Sequence, residues 1–151
     1  MPESSATVTL AHPADVVWEY NSTPEHIAII TPGTIEARSL SDGPLAVGSQ
    51  WEGKTRLLGR TVEWHGEFTR VDAGKATEFH STRSPFDFTI WTDLEETPDG
   101  CVFTYRIESE SGLGGVFGKM ADAIVNRTYQ RSLSASVESL PDLIDDWVAN
   151  R

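Results

Sequence analysis

The sequence predicts an α+β fold in a single domain, with an antiparallel sheet followed by a long helix. Apolar and polar residues alternate through seven stretches between residues 6 and 108, which is the period of a strand. Short turn signals such as "DAGK" and "TPDG" separate most of these stretches, as in a meander. From about Gly118 the apolar period becomes 3.6 residues. A chain of 151 residues most simply forms one domain, over residues 1–151.

The chain is predicted to open with one strand and two short helices. Alternation predicts a strand over residues 6–12, and helical spacing follows it in "HPADVVWEYNS". Pro13 suits the first helical position, where its missing N–H costs nothing, and Asp15 suits the first turn, where the helix dipole favours a carboxylate. Thr23 and Pro24 then predict the N-cap and the first turn of a second short helix.

Six further strands are predicted, and one face of their sheet is rich in aromatic side chains. The clearest alternation places Val62, Trp64 and Phe68 together on one face. The predicted strand bounds are 34–40, 48–58, 60–71, 76–83, 86–95 and 101–108.

A long helix is predicted to close the chain. Leu133, Val137 and Leu140 recur at intervals of three and four residues, which is the spacing of one helix face. Pro141 falls within this pattern and is predicted either to kink the helix or to restart it, because proline lacks the amide hydrogen and clashes with the preceding turn.

The stretch "GLGGVFGKM", residues 112–120, contains four glycines and a lysine, which raises the question of a phosphate-binding loop. A Walker loop needs glycine and a hydroxyl side chain where the chain has Leu113 and Met120. A dinucleotide-binding loop needs a third glycine where Phe117 stands. The stretch is therefore predicted to be a sharp corner into the final helix, and no cofactor is expected.

The net charge of the chain argues against two classes of binding partner. Twelve basic and 23 acidic residues give a formal net charge of -11. This charge argues against nucleic acids, whose binding depends on Lys and Arg displacing counterions, and against anionic membrane surfaces. No secretory signal or membrane-spanning segment is expected, and Cys101, the single cysteine, cannot form an internal disulfide. These features predict a cytoplasmic protein, monomeric or homodimeric.

No catalytic or metal-binding motif is apparent in the sequence. The four histidines lie in different predicted elements without metal-ligand spacing, and there is no G-x-S-x-G elbow. His65 and His80 are expected on polar faces, in solvent. The candidates for an inward-facing titratable group are Tyr105 and, less directly, Arg83 or His80. No metal is expected, and the sequence leaves open whether the protein is an enzyme.

The aromatic face of the sheet is compatible with either a packed core or a ligand cavity. Six or seven strands against one helix present more concave apolar surface than that helix covers, which favours the cavity. Hydroxyl groups on the same face can orient a ligand. The predicted lining comprises Trp51, Thr55, Trp64, Phe79, Ser81, Phe88, Ile90, Thr92 and Tyr105, with Phe117, Met120 and Ile124 across the cavity.

Five stretches, in a fixed order along nearly the whole chain, together indicate a family. They are "HPADVVWEYNSTPEH", "SLSDGPLAVGSQW", "LLGRTVEW", "FHSTRSPFDFTIWTDLEET" and the glycine-rich junction into the final helix. This combination resembles the SRPBCC superfamily, and within it the bacterial polyketide cyclase/dehydrase and lipid-transport group. The chain departs from that group at "IAIIT", where an aromatic residue is common, and at Pro141, within a helix that is usually continuous.

The resemblance implies the helix-grip (START-like) fold. In that fold a curved antiparallel sheet of about seven strands wraps around the C-terminal helix and encloses an apolar tunnel, and two short helices complete one end. It also implies that the loop over residues 112–118 lies near the tunnel mouth, where its glycines would permit the movement of a gate.

Three functions fit these observations. The first is a binding protein for a small hydrophobic molecule, such as a lipid, isoprenoid, quinone or polyketide-like aromatic, held mainly by apolar burial. The second is a polyketide cyclase or dehydrase, which requires an inward-facing titratable group in the same cavity. The third is a protein-interaction module, which predicts a filled core and a contiguous exposed apolar patch. An apolar lining with hydroxyl groups therefore favours the first function over the second.

Overall fold

A computed structural model describes residues 3–57, 59–109 and 119–151. Its seven strands form one antiparallel sheet in the order β1-β7-β6-β5-β4-β3-β2, which confirms the predicted α+β class. The elements in chain order are β1 (Glu3–Leu10), α1 (Ala14–Asn21), α2 (Pro24–Ile30), β2 (Thr34–Ser39), β3 (Gln50–Leu57), β4 (Arg60–Asp72), β5 (Ala76–Arg83), β6 (Phe88–Thr97), β7 (Gly100–Ser109), α3 (Lys119–Glu138) and α4 (Leu140–Asn150).

The first strand differs most from its prediction of residues 6–12, since it begins at Glu3 and ends at Leu10. Its pairing with β7 ends where Leu10 lies opposite Cys101. Because β7 begins at Gly100, almost no partner strand remains beyond Leu10, and the chain turns towards α1. Pro13 is the N-cap of α1 rather than its first helical residue, so that prediction was wrong by one position.

The strand predicted over residues 86–95 begins later, at Phe88, and runs to Thr97. The backbone N–H of Phe88 donates to the hydroxyl oxygen of Ser81 at 2.9 Å. That of Phe86 points towards the hydroxyl of Ser84 at 3.4 Å. These side-chain acceptors replace strand carbonyls, which explains why the regular ladder starts at Phe88. The remaining strands lie within two residues of their predicted bounds.

Pro141 restarts the final helix. Helix α3 ends at Glu138 and α4 begins at Leu140, with Ser139 as its N-cap and Pro141 in its first turn. Proline fits this position because the N–H groups of a first turn have no partner within the helix. Among the helices in the described ranges, none combines the length and the apolar character needed to cross a membrane.

Helix α3 lies against β1 and closes one side of the sheet. The side-chain amide of Gln130 pairs with both backbone groups of Ser5, at 2.9 and 2.7 Å. This pairing satisfies backbone groups on an edge strand that would otherwise be open to other chains. The core lies between the concave face of the sheet and the last two helices, which contribute the fully buried side chains of Leu133, Val137, Leu140 and Ile144.

Two strand glycines allow aromatic rings to lie against the backbone of the sheet. A methyl group added at Gly53 would overlap the ring of Trp64, its partner on the neighbouring strand. A methyl group added at Gly66 would overlap the ring of Phe79. Both glycines therefore make room for aromatic side chains on the concave face.

Candidate functional site: a cavity between the sheet and the short helices

An apolar cavity lies between the concave face of the sheet, the two short helices and Tyr129 of α3. The space open to the centres of water molecules is about 90 Å³. Ligand sites for drug-sized molecules usually measure about 300–1,000 Å³, so binding a molecule of two fused rings requires the walls of this cavity to move outwards.

The structure places most of the predicted lining residues at this one cavity, on the inward faces of β3 to β6. Those that line it are Trp51, Thr55, Trp64, Phe79, Phe88, Ile90 and Thr92.

Ser81 and Tyr105 differ from their prediction, because both are buried beside the cavity rather than in its lining. Ser81 uses its oxygen to accept the N–H of Phe88, and the hydroxyl of Tyr105 lies 3.0 Å from that of Thr31. Phe117 and the whole 112–118 loop lie outside the described residues, as do the side chains of Met120 and Ile124.

Phe79 lies at the centre of the aromatic wall of the cavity. Its ring centroid is 5.0 Å from that of Phe68, 5.9 Å from that of Trp64 and 6.3 Å from that of Phe88. The first two pairs have the edge-to-face geometry that aromatic rings prefer. A wall of interlocked rings has few alternative arrangements, so it presents a defined surface to a ligand.

Further lining residues, not predicted from the sequence, come from α1, α2, the turns after these helices and β2. The apolar run "IAII" of α2 could have indicated them, because it contains more apolar residues than one short surface helix needs for its own packing. The missed residues of this region are Trp18, Asn21, Ser22, Ile27, Ala28, Thr31, Pro32, Thr34 and Ala37.

Hydroxyl groups in the lining mostly have partners within the protein. The hydroxyl groups of Thr77 and Thr92 bond to each other at 2.5 Å, and Thr55 accepts the indole N–H of Trp64 at 3.0 Å. Two polar groups of the lining, the amide of Asn21 and the hydroxyl of Thr34, differ from these. Their polar atoms are buried and have no hydrogen-bond partner in the part of the chain that the structure describes.

Charged groups are scarce in the described lining. Lys75 is its one charged side chain, and that residue is exposed. His80 and Arg83 are exposed and lie outside the lining, with the His80 ring 2.8 Å from the hydroxyl of Thr89. His65 lies outside the lining as well, beside the carboxylate of Glu52 at 3.3 Å. Within the described ranges no three His, Cys, Asp or Glu side chains gather in a way that could hold a metal ion.

The buried tyrosines predict a loss of stability at alkaline pH. Burial raises the pKa of Tyr105 and of Tyr129 above the ordinary 10.0, and for Tyr129 the neighbouring Tyr105 adds to the effect. Both phenols stay protonated in the folded state while the unfolded chain ionises. The contribution of these two tyrosines to stability is therefore constant below about pH 10 and falls above it, by about 1.4 kcal/mol per pH unit for each of them.

We expect Tyr105→Phe to make this alkaline fall shallower, because one of the buried groups that cause it no longer titrates. The measurement is urea unfolding at a series of pH values on both sides of pH 10, for parent and variant. Equal slopes in the two proteins would contradict the assignment.

The sequence of the chain is similar to that of a known protein family. Residues 1–141 match the family model described as polyketide cyclase / dehydrase and lipid transport. No curated protein is similar enough in sequence to count as a match.

Solved structures share the fold at low sequence identity. TTHA0849 from Thermus thermophilus superposes with a TM-score of 0.75 at 14% identity, covering 95% of this chain and 97% of that one. A START superfamily protein from Mycobacterium smegmatis gives 0.68 at 14% identity, with 94% and 98% covered. Ginseng major latex-like protein 151 from Panax ginseng gives 0.61 at 16% identity, with 91% and 95% covered. At these identities the likeness shows the fold alone, and it confirms the START-like helix-grip architecture.

Proposed function

Because this chain belongs to the polyketide cyclase/dehydrase and lipid transport family, we propose that it binds a small hydrophobic molecule in the cavity between the sheet and the short helices. The observation that supports this most strongly is the lining formed by the described residues, which is aromatic and aliphatic except for a few hydroxyl groups, one amide and one exposed lysine. Apolar burial contributes roughly 25 cal/mol per Å² before the entropic costs of binding, so such a lining favours lipids, isoprenoids, quinones and polyketide-like aromatics.

The same lining favours a carrier over a cyclase or dehydrase. A general acid or base needs a pKa near the working pH and must reach the substrate. The described lining contains no His, Asp, Glu or Arg, and its titratable side chains are Tyr129 and the exposed Lys75. Burial raises the pKa of Tyr129 well above the ordinary 10.0, away from a working pH. Tyr105, beside the lining, has a raised pKa as well and a partner in Thr31. The enzyme alternative predicts that a bound molecule is converted, which appears as a change in ligand mass with time.

An interaction module would have a filled core, and a cavity speaks against it. Among the described residues the exposed large apolar side chains include Ile29 on α2 and Ile35 on β2, with Val47 in the connection to β3. Single exposed apolar residues are normal on protein surfaces and need no partner to explain them.

Native mass spectrometry of gently purified protein tests the proposal. We expect a defined added mass that is lost on denaturation, and its value would begin to identify the molecule. Protein that arrives without a ligand is then titrated with 2-methylnaphthalene while tryptophan fluorescence is followed, because Trp18, Trp51 and Trp64 line the cavity. No retained mass together with no fluorescence response would contradict the proposed function.

A further inference from the structure

Two polar side chains in the cavity lining lack partners of their own. Asn21 is the last residue of α1, and both the nitrogen and the oxygen of its amide are buried without a hydrogen bond among the described residues. Thr34 is the first residue of β2, and its hydroxyl is likewise buried without a hydrogen bond among the described residues. Buried polar groups in folded proteins are nearly always paired, so unpaired ones call for a specific explanation.

Other polar side chains near these two residues do have hydrogen-bond partners. Ser22, next to Asn21, donates to the carbonyl of Trp18 at 2.7 Å. Thr31 donates to the carbonyl of Ile27 at 2.8 Å and also lies within bonding distance of a tyrosine hydroxyl. Among the described residues, the buried side chains without a partner are therefore ones that face the same space as Ile27 and Ala28.

The described lining offers little positive charge to an anionic ligand. Its one cationic side chain is Lys75, and that residue is exposed to solvent. An anionic group beside Asn21 would therefore find no buried cation among the described lining residues, in a protein whose net charge is already -11.

We propose that Asn21 and Thr34 bind the polar head of the ligand, and that this head is an uncharged group that both donates and accepts hydrogen bonds. A carboxamide, or a hydroxyl adjacent to a carbonyl, has this chemistry. The amide of Asn21 offers two N–H donors and one carbonyl acceptor, and the hydroxyl of Thr34 can take either role. This inference rests on the proposed function, since it names the class of molecule that the same cavity accepts.

The test uses three ligands with one ring system and different heads: 2-naphthamide, 2-naphthoate and 2-methylnaphthalene. At a pH where the acid is ionised, we expect the amide to bind the parent protein at least tenfold more tightly than either of the others. Each hydrogen bond gained in place of an unpaired group corresponds to roughly a tenfold gain in affinity.

Two variants of similar shape remove the polar groups. Asn21→Leu and Thr34→Val are each expected to reduce the preference for the amide about tenfold, while the affinity for 2-methylnaphthalene stays equal or rises. Both variants should also raise the Tm of the free protein, by about 2–4 °C, because each removes a buried polar group that has no partner among the described residues. A merely structural role predicts the opposite change in Tm.

Thr92→Val serves as the matched control. Thr92 lines the cavity too, but its hydroxyl is paired with that of Thr77, so this substitution should lower the Tm and leave the preference for the amide unchanged.

The outcomes separate the two proposals. If 2-methylnaphthalene binds and the amide shows no advantage, or if the advantage persists in both variants, the inference about the head group is wrong and the proposed function stands. A preference for 2-naphthoate would likewise overturn the uncharged head. Binding of none of the three ligands would overturn the proposed function and this inference with it.

Discussion

Replacing Phe79 by alanine is expected to lower the free energy of unfolding by about 3–5 kcal/mol and, at the same time, to enlarge the cavity. Phe79 is only 5% exposed, and its ring contacts those of Phe68, Trp64 and Phe88. The substitution removes the ring with which the other three rings of the aromatic wall are in contact. The neighbouring rings are fixed by strands on both sides, so they can close the gap only in part.

Urea unfolding measures the loss, and an added small aromatic molecule measures the cavity. Toluene should raise the Tm of Phe79→Ala more than that of the parent protein, because it refills the space that the ring leaves. A loss below about 1 kcal/mol, or equal stabilisation of the two proteins by toluene, would show that Phe79 does not form the wall of the cavity.

Trp91→Ala is the matched control from the adjacent strand. Its ring belongs to the outer face, where the Arg106 guanidinium lies 3.8 Å from the ring centroid and the indole N–H donates to Glu78. We expect a smaller loss of stability than for Phe79→Ala, since the Trp91 ring is only partly buried. The response to toluene should match that of the parent, because the cavity is untouched.

The part of the site that lies on strands could be predicted from the sequence, because side-chain direction follows the two-residue period. Trp64 and Phe79 needed only correct strand assignments to be placed on the concave face. The same period placed Tyr105 on that face correctly. However, Tyr105 is fully buried and its hydroxyl bonds with Thr31, so protein atoms and not the cavity cover it.

The end of the cavity formed by the short helices could not be derived in this way. Asn21 lies in the last turn of α1 and Thr34 opens β2, and both follow from where two short helices dock on the sheet. That docking depends on packing between residues distant in the chain, for which local periodicity contains no information. The unpaired state of Asn21 is also invisible in the sequence, since asparagine is mostly an exposed residue in folded proteins.

Filling the cavity from α2 should abolish binding while leaving the fold intact, and Ala28→Phe is the substitution expected to do so. The methyl group of Ala28 faces a space of about 90 Å³. One phenyl ring therefore occupies most of the volume that a ligand would use. We expect affinity for 2-methylnaphthalene to fall at least 100-fold, with a cost in stability of about 1–3 kcal/mol from overpacking.

Ile29→Phe introduces the same ring one residue later, on the outer side of the helix, where Ile29 is 56% exposed. Because both variants carry the same ring on the same helix and differ mainly in its direction, a selective effect of the first would localise binding to the cavity. Titration of tryptophan fluorescence provides the affinities, and circular dichroism checks that both proteins are folded. Equal affinities for the two variants would mean that the ligand binds elsewhere, and the contacts proposed for Trp51, Trp64 and Asn21 would have to be abandoned.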